Sequence, residues 1–293
     1  MPVRQLVVEL GGRDPEAAQD ACLECGALAV TLADAADDPV LEPAPGETPL
    51  WPTVRLTALL PDGTAGEEVA RSIAAILGLS QREATLEQLE DRPWEREWLK
   101  DFRPMRFGRR LWICPGGQPA PDPGAVVVEL DPGLAFGTGT HPTTAMCLEW
   151  LDGAGLAGAS VLDYGCGSGI LALAALALGA GRATAVDIDP QALIATRENA
   201  ARNRLAAALT ALPADDLAET GFDVVVANIL SGPLVDLAPR LARLTRDGGR
   251  IVLAGLLDEQ AADVARAYEP WFDIAAHATR SGWTLLAGRR RAG

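Results

Sequence analysis

Apolar and polar residues alternate with a period of two in four segments of the first ninety residues, and two amphipathic segments separate them. Such alternation is typical of strands that bury one face, whereas apolar spacing of three and four residues is typical of helices. The first helix is expected to begin at Asp14-Pro15-Glu16, an N-cap aspartate, a first-turn proline and an acidic residue. Strands are predicted at residues 5–10, 27–32, 54–60 and 85–89, and the second helix at residues 66–77. The order βαββαβ predicts a small α+β sandwich of the ferredoxin-like kind.

The pattern changes after residue 158. Residues 159–164 form a mostly apolar run, typical of a strand buried on both faces of a parallel sheet, and a helical run follows at residues 170–178. Further strands are predicted to end at Asp187 and just before Asn228. Strands and helices that alternate in this way predict an α/β domain with a Rossmann-like sheet.

Three aromatic residues, Trp94, Trp98 and Phe102, recur at intervals of four between these two regions. One face of a helix would then be aromatic, which predicts a linker helix packed against a domain, with Pro93 near its start and Pro104 at its end. The interleaved basic residues leave open a second interpretation, a platform on which single-stranded nucleic acid stacks. The predicted organisation is a domain at residues 1–92, a linker helix at residues 93–110 and a second domain at residues 111–293.

Charge is distributed unevenly along the 293 residues, whose formal net charge is −15. Residues 1–92 carry six arginines and seventeen acidic residues, a net charge of −11, whereas residues 93–110 carry six basic and three acidic residues. An acidic surface repels nucleic acid and attracts basic proteins, so we expect a basic protein partner and no direct binding of nucleic acid. Solubility alone is the alternative explanation of the excess acid.

Neither export, a membrane segment nor a metal site is expected. The most apolar run, residues 170–180, is well short of the ~20 residues that span a bilayer, and no apolar signal core follows Met1, so a cytoplasmic location is expected. Five cysteines without framework spacing argue against disulfides. Cys22 and Cys25 stand one helical turn apart, but no set of four ligands accompanies them, so they are interpreted as part of an amphipathic helix.

The clearest chemical signal follows the apolar strand at residues 159–164. Gly165, Gly167 and Gly169 occupy alternate positions where a helix begins, so a ligand can approach bare backbone at a helix N-terminus. Asp187 ends the next strand, where a carboxylate can accept hydrogen bonds from both hydroxyls of a ribose. With Asp163 two residues before the first glycine, the glycine spacing resembles the first motif of S-adenosylmethionine-dependent methyltransferases. A dinucleotide site has its third glycine one position later. A tight turn without a ligand is the remaining alternative.

Two further segments supply polar groups near this turn. Residues 131–144 are rich in glycine and threonine and are expected to close over a cofactor. His141 in this segment is a candidate base, and a role at the start of the following helix is the alternative. Asn228 stands at the carboxyl end of a strand, where ligands bind in open α/β sheets, and its amide offers donors and an acceptor to a cofactor or an incoming amine. A plain turn asparagine is the alternative there.

With these segments in place, the chain closely resembles the PrmA family, the methyltransferases of bacterial large-subunit ribosomal protein L11, over nearly its full length. The segment at residues 136–144 is far more specific than the glycine turn. The matching stretches are Pro45-Gly46-Glu47-Thr48, Trp94-Glu95-Arg96-Glu97-Trp98, residues 130–144, residues 163–169, Asp187-Ile188-Asp189-Pro190 and Asn228-Ile229-Leu230.

The resemblance implies an N-terminal substrate-recognition domain, a linker helix and a seven-stranded class I methyltransferase domain. This domain would use S-adenosylmethionine to methylate lysine side chains and the N-terminal amine of one large-subunit ribosomal protein. The resemblance also suggests a monomer. The cofactor contacts that it implies fall on Thr144, Gly165, Asp187 and Asn228, and Gly167 and Phe136 are added as candidates from the two glycine-rich segments.

Asn228 is the candidate catalytic residue, which we expect to orient the amine. A lysine amine, with a pKa of ~10.4, must lose its proton before it attacks the activated methyl group. Two other functions remain open. Glutamine methyltransferases with an Asn-Pro-Pro-Tyr motif place an asparagine at the same strand end, but Ile229-Leu230-Ser231 follows it here. A ribosome-assembly protein without catalytic activity is the second, since fold alone does not establish activity.

Overall fold

The chain divides into two units, Met1–Glu97 and Trp98–Gly293, in a computed structural model of the protein. The division falls within the predicted linker. No helix within the described ranges is long and apolar enough to cross a membrane. The structure describes residues 3–36, 52–80, 83–89, 103–116, 118–131, 139–218 and 221–292.

The N-terminal unit has the order of elements that the sequence predicts. Its bounds are β1 (Val3–Glu9), α1 (Pro15–Glu24), β2 (Ala29–Asp34), β3 (Val54–Leu60), α2 (Gly63–Ile76) and β4 (Ala84–Leu89). The four strands form an antiparallel sheet in the order β2-β3-β1-β4. This order, with its two crossover helices, is that of a ferredoxin-like sandwich.

Local sequence explains the elements of this unit. Every second residue of β3 is buried, so Leu56 and Ala58 enter the core while the residues between them stay partly exposed. The Asp14 side chain accepts hydrogen bonds from the backbone N–H groups of Glu16 and Ala17 at 2.9 and 3.1 Å. Asp14 therefore caps α1, as its position in the sequence predicts.

The C-terminal unit contains a seven-stranded sheet, preceded in the chain by a small three-stranded one. Its elements are β5 (Met105–Phe107), β6 (Leu111–Pro115), β7 (Val126–Leu130), α3 (Pro142–Gly153), β8 (Ser160–Tyr164), α4 (Ile170–Ala177), β9 (Arg182–Asp187), α5 (Pro190–Arg202), β10 (Leu209–Pro213), β11 (Phe222–Asn228), α6 (Ser231–Leu244), β12 (Thr245–Leu257), α7 (Ala261–Tyr268), β13 (Phe272–Arg280) and β14 (Trp283–Arg290). The large sheet has the order β10-β9-β8-β11-β12-β14-β13, and β14 alone runs opposite to the other six strands. This is the seven-stranded Rossmann-like sheet of the prediction.

Helices cover both faces of this sheet, which explains why its central strands are apolar throughout. All five residues of β8 are buried. Successive residues of β11 face opposite layers: Val225 packs with side chains of α6 and α7, whereas Val226 packs with side chains of α3 and α4. From β8 the chain adds β9 and β10 on one side, and it then crosses to the other side of β8 to form β11. Open α/β sheets bind ligands at such a reversal of strand order, the switch point.

The three-stranded sheet corrects the predicted linker helix. Residues 93–102, with the aromatic stripe, lie outside the described residues, but residues 105–107 form β5, a strand that pairs antiparallel with β6. Gly108 adopts φ +67° in the turn between the two strands, and Phe107 is buried. A helix over residues 93–110 is therefore wrong for residues 105–110, because β5 pairs with β6 and Phe107 is buried, whereas the aromatic pattern that predicts the helix ends at Phe102.

Candidate functional site

A cavity of about 550 Å³ lies at the carboxyl ends of β8, β9, β10 and β11. All five described residues that the sequence assigned to a cofactor line it. Its walls are mostly apolar, as is typical of small-molecule sites. These five residues are Thr144, Gly165, Gly167, Asp187 and Asn228. Phe136, the sixth candidate, lies outside the described residues.

The glycine turn brings backbone, without side chains, to the wall of this cavity. Gly165 has φ +80° and Gly167 has φ +52°, a region that other residues rarely adopt. The backbone N–H groups of Gly165 and Cys166 donate to the carbonyl of Val186 at 2.8 and 3.0 Å, which fixes the turn against β9. A Cβ atom on Gly165 would overlap Cγ2 of Ile229. The position therefore requires glycine both for its φ angle and for space.

Asp187 holds the glycine turn from the end of β9. Its Oδ2 accepts a hydrogen bond from the Gly167 N–H at 2.9 Å, and its Oδ1 accepts one from the Asp189 N–H at 3.0 Å. An ionised carboxylate has about four acceptor positions, so each oxygen keeps capacity for a further donor. Asp187 thus holds the backbone of the glycine turn at the cavity wall and keeps acceptor positions for a ligand.

Asn228 and Thr144 meet on another wall, although they are far apart in the sequence. Thr144 is 1% exposed on α3, and its Oγ1 accepts a hydrogen bond from Nδ2 of Asn228 at 3.2 Å. This bond fixes the plane of the amide at the end of β11. Among the described residues, no group donates a hydrogen bond to Oδ1 of Asn228, so that oxygen is available to a ligand.

His141 takes the helix-start role that was the alternative to catalysis. Its Nδ1 lies 2.7 Å from Oγ1 of Thr143 and accepts from the Thr143 N–H at 3.4 Å, which caps α3. Its ring packs edge-on against Trp283, with 4.9 Å between centroids. Burial lowers the pKa of His141, which favours the neutral ring. The residues that line the cavity do not include it.

Asp163 is a buried carboxyl group beneath the turn. Its Oδ2 accepts a hydrogen bond from the Ala172 N–H in α4 at 3.0 Å, whereas its buried Oδ1 has no partner among the described residues. Burial raises the pKa of Asp163 to about 7, despite the opposing effect of the Ala172 bond. A positive charge bound nearby would favour the ionised form.

Several cavity residues were missed by sequence reasoning. Tyr164, Ile188, Asp215 and Arg240 all line the cavity. The Arg240 guanidinium lies over the Tyr164 ring at 5.8 Å, donates to the Ala214 carbonyl, and has Nη1 3.8 Å from Oδ1 of Asp215. Asp215 follows β10, so recognition of that strand would have predicted a third carboxyl-end residue. Arg240 carries no such signal, because only the packing of α6 brings it there.

The two neighbouring cysteines, Cys22 and Cys25, belong to helix α1 and its C-terminal end. All five cysteines are free, Cys22 is buried in α1, and burial raises the pKa of its thiol to about 11. Cys25 lies at the C-terminal end of the same helix. Within the described ranges, no three His, Cys, Asp or Glu side chains form a group that could hold a metal ion.

Comparison with known proteins gives a match over nearly the whole chain. The family model of ribosomal protein L11 methyltransferase (PrmA) matches residues 2–291. The chain is 53% identical over 294 residues to the ribosomal protein L11 methyltransferase of Pseudomonas paraeruginosa, covering 100% of both proteins. It is 52% identical over 294 residues to that of Serratia proteamaculans, covering 99% of this chain and 100% of the relative.

A solved structure is also similar. The ribosomal protein L11 methylase from Lactobacillus delbrueckii subsp. bulgaricus is 32% identical, with a TM-score of 0.60 over 65% of this chain and 100% of that one.

Proposed function

Because the chain belongs to the family of ribosomal protein L11 methyltransferases (PrmA), we propose that it transfers methyl groups from S-adenosylmethionine to amino groups of ribosomal protein L11. The targets would be lysine side chains and the N-terminal amine. One observation carries the proposal. The cavity at the sheet switch point is lined by the glycine turn, by Asp187 and by the hydrogen-bonded pair of Asn228 and Thr144.

The residues of this cavity fit the proposed cofactor. Asp187 would accept hydrogen bonds from the ribose hydroxyls, because each of its oxygens has only one backbone donor. Gly165 and Gly167 would leave room for the ligand against the main chain. A volume of about 550 Å³ lies within the range of small-molecule sites. When bound, S-adenosylmethionine supplies a methyl group that is activated by a positively charged sulfur.

Asn228 would position the amine. Thr144 fixes the amide through Nδ2, so Oδ1 can accept one N–H of a neutral amine and hold its lone pair in a defined direction. The apolar side chains of Ile170, Ile229 and Leu237 on the cavity wall disfavour a charged ammonium group and so lower the pKa of an amine that enters. These residues favour the neutral amine, and the proton that the ammonium group loses passes to water, so no dedicated base is assigned.

Substitution of the pair tests this role. We expect Asn228→Ala to lower kcat by about tenfold or more at saturating cofactor and substrate, because the loss of an aligned hydrogen bond costs about 1–2 kcal/mol. Thr144→Val should give a smaller decrease, since the amide remains but is no longer fixed. Cofactor affinity is measured in parallel by titration calorimetry. Wild-type kcat in Asn228→Ala would contradict the role.

We also propose that the N-terminal unit recognises the basic substrate. Glu16, Asp20 and Glu24 are exposed and stand four residues apart on α1, so they form an acidic stripe along one helix face. Residues 1–92, to which the stripe belongs, have a net charge of −11. Attraction between an acidic surface and a basic substrate accelerates association, and added salt weakens this attraction.

Neutralisation of the stripe tests substrate recognition. The triple variant Glu16→Gln, Asp20→Asn, Glu24→Gln should raise the KM for L11, with unchanged kcat and cofactor affinity. A matched variant of the C-terminal unit, which should keep the wild-type KM, neutralises the exposed residues Glu259, Asp263 and Glu269. Equal KM values in the two triple variants would refute the assignment.

Chemical blocking of the substrate separates the proposed reaction from its alternatives. Acetylation of L11 removes free amines and leaves glutamine amides intact. We expect methyl incorporation into native L11 and none into acetylated L11. Equal incorporation into both would favour glutamine methylation. Binding of L11 and cofactor without incorporation into either would favour the assembly protein.

A further inference from the structure

A second cavity, a polar groove of about 460 Å³, lies at the opposite ends of the central strands of the seven-stranded sheet. Asp223 is near the start of β11, Arg246 and Arg250 lie in the first part of β12, and Arg289 lies near the end of the antiparallel β14. The cofactor cavity uses the other ends of these strands. The two sites lie at opposite ends of β8, a strand of five residues. At ~3.3 Å per residue, they are roughly 15 Å apart.

Two arginines of this groove are direct cross-strand partners. Arg250 of β12 is paired in register with Arg289 of β14. Like charges in this arrangement repel each other and are normally avoided. A third guanidinium joins them, since Nη1 of Arg246 and Nη2 of Arg289 lie 3.8 and 3.9 Å from the point where a Cβ of Gly248 would stand. Three positive side chains thus converge in a protein whose net charge is −15.

The single carboxylate of the groove does not balance them. Asp223 accepts hydrogen bonds from the N–H and Oγ of Ser160 at 2.8 and 2.7 Å, and from Nε of Arg246 at 2.5 Å. These bonds lower its pKa to about 2, so it is fully ionised and already engaged. It neutralises one arginine and leaves two in excess.

Arg250 and Arg289 are held in place by neutral groups. Arg250 donates to the Ala154 carbonyl and lies over the Trp150 ring at 5.2 Å, and Nε of Arg289 donates to the Gly248 carbonyl at 3.2 Å. None of these contacts supplies a negative charge. No described residue accepts from the Nη atoms of Arg289.

Asp273 of β13 is the other cross-strand partner of Arg289, but its carboxylate accepts a hydrogen bond from Nε of Arg291 at 2.7 Å. Asp223 attracts Arg250 without a hydrogen bond between them. The two guanidinium groups are therefore oriented by the fold, and among the described residues neither donates a hydrogen bond to a carboxylate.

The other residues that line the groove are glycines and alanines, which expose mostly backbone. Gly155 and Gly158, which precede β8, line it with φ +61° and +71°, and a Cβ on either would meet nothing within 4 Å. Ala157 between them is exposed. No side chain at these glycines would therefore obstruct a ligand that contacts the arginines.

We propose that this groove is a binding site for phosphate groups, supplied either by the backbone of an RNA strand or by a free nucleotide. Guanidinium groups match the geometry of phosphate oxygens and bind them in pairs. Two or three of them side by side suit a ligand with more than one phosphate. The site is independent of the proposed methyl transfer, and it makes an exception to the expectation, drawn from net charge, that nucleic acid does not bind.

Titration calorimetry on the full chain tests the site with two probes, pyrophosphate and a short single-stranded RNA, at low salt. We expect wild-type protein to bind at least one probe. The double variant Arg250→Gln, Arg289→Gln should bind it about 100-fold more weakly, since each lost charge-assisted bond costs about tenfold. The control Arg266→Gln, which removes an exposed arginine on α7 that pairs with Asp263, should bind like wild type.

A second variant protects the test against misfolding. Ala157→Glu leaves the arginines in place and adds a carboxylate at an exposed position on the groove wall, so it should weaken binding while the melting temperature stays at the wild-type value. Tight binding of RNA but not pyrophosphate would identify a nucleic-acid backbone as the source, and the reverse would identify a free nucleotide. Absence of binding of both probes to wild type, or undiminished binding in both groove variants, would overturn the proposal.

Discussion

Asp187→Ala should affect both the empty protein and its affinity for the cofactor, because Asp187 has two roles. Without a ligand, its carboxylate accepts hydrogen bonds from the N–H groups of Gly167 and Asp189. Loss of two such bonds at a partly exposed site should lower the free energy of unfolding by about 1–3 kcal/mol. With the cofactor, the variant would also lose the acceptors for two ribose hydroxyls.

The expected loss of affinity is larger than the loss of stability. Hydrogen bonds to charged groups contribute about 1.5–3 kcal/mol each, so two of them correspond to an affinity about 100-fold lower or more. Titration calorimetry with S-adenosylhomocysteine measures this change, and urea denaturation of the ligand-free variant measures the stability.

The neighbouring Asp189 provides a matched control. Its side chain accepts a hydrogen bond from the Gln191 N–H at 2.9 Å and caps α5, but it does not line the cavity. Asp189→Ala should therefore cost about 1 kcal/mol of stability and leave cofactor affinity unchanged. Wild-type affinity of Asp187→Ala for S-adenosylhomocysteine, or an equal loss of affinity in both variants, would refute the binding role of Asp187.

Two further predictions concern the glycine turn and the acid beneath it. Gly165→Ala should weaken binding of S-adenosylhomocysteine by at least about tenfold, since its Cβ would overlap Ile229 and its φ of +80° costs ~1–2 kcal/mol. The control Gly221→Ala has a similar φ of +83° but space for a Cβ, so this variant should lose stability and keep its affinity for the ligand. For Asp163, the raised pKa means that the folded protein keeps a proton that the unfolded chain releases above about pH 4, so the stability that this group contributes is lost as pH rises to about 7. Asp163→Asn should reduce this decline in urea denaturation of the ligand-free protein, and an unchanged pH dependence would show that Asp163 is not its source.

Most of the fold is predictable because its elements have strong local patterns. The alternation in β3 gives its bounds without error, and the buried β8 and the helix α4 after it are found within one residue. The candidate residues at the ends of β8, β9 and β11 follow from the rule that ligands meet the carboxyl ends of parallel strands. These features depend on neighbouring residues in the sequence, so a single chain is enough to reveal them.

The features that the sequence did not reveal depend on contacts between distant segments. The strand β5 exists because it pairs with β6, and β10 is a short edge strand that is only partly buried. The position of Arg240 in the cavity depends on the packing of α6. The alignment of Arg250 with Arg289 depends on the register of two antiparallel strands. None of these contacts produces a pattern of apolar and polar residues that the sequence alone would reveal.

The most direct test of the central claim is methyl transfer by the purified protein. Wild type and Asp187→Ala are incubated with isotopically labelled S-adenosylmethionine and purified ribosomal protein L11, and the products are mapped by intact-protein and peptide mass spectrometry. We predict methyl groups on lysine side chains or the N-terminal amine with wild type, and a strongly reduced yield with the variant. Absence of transfer by wild-type protein that binds S-adenosylmethionine and L11 would contradict the account.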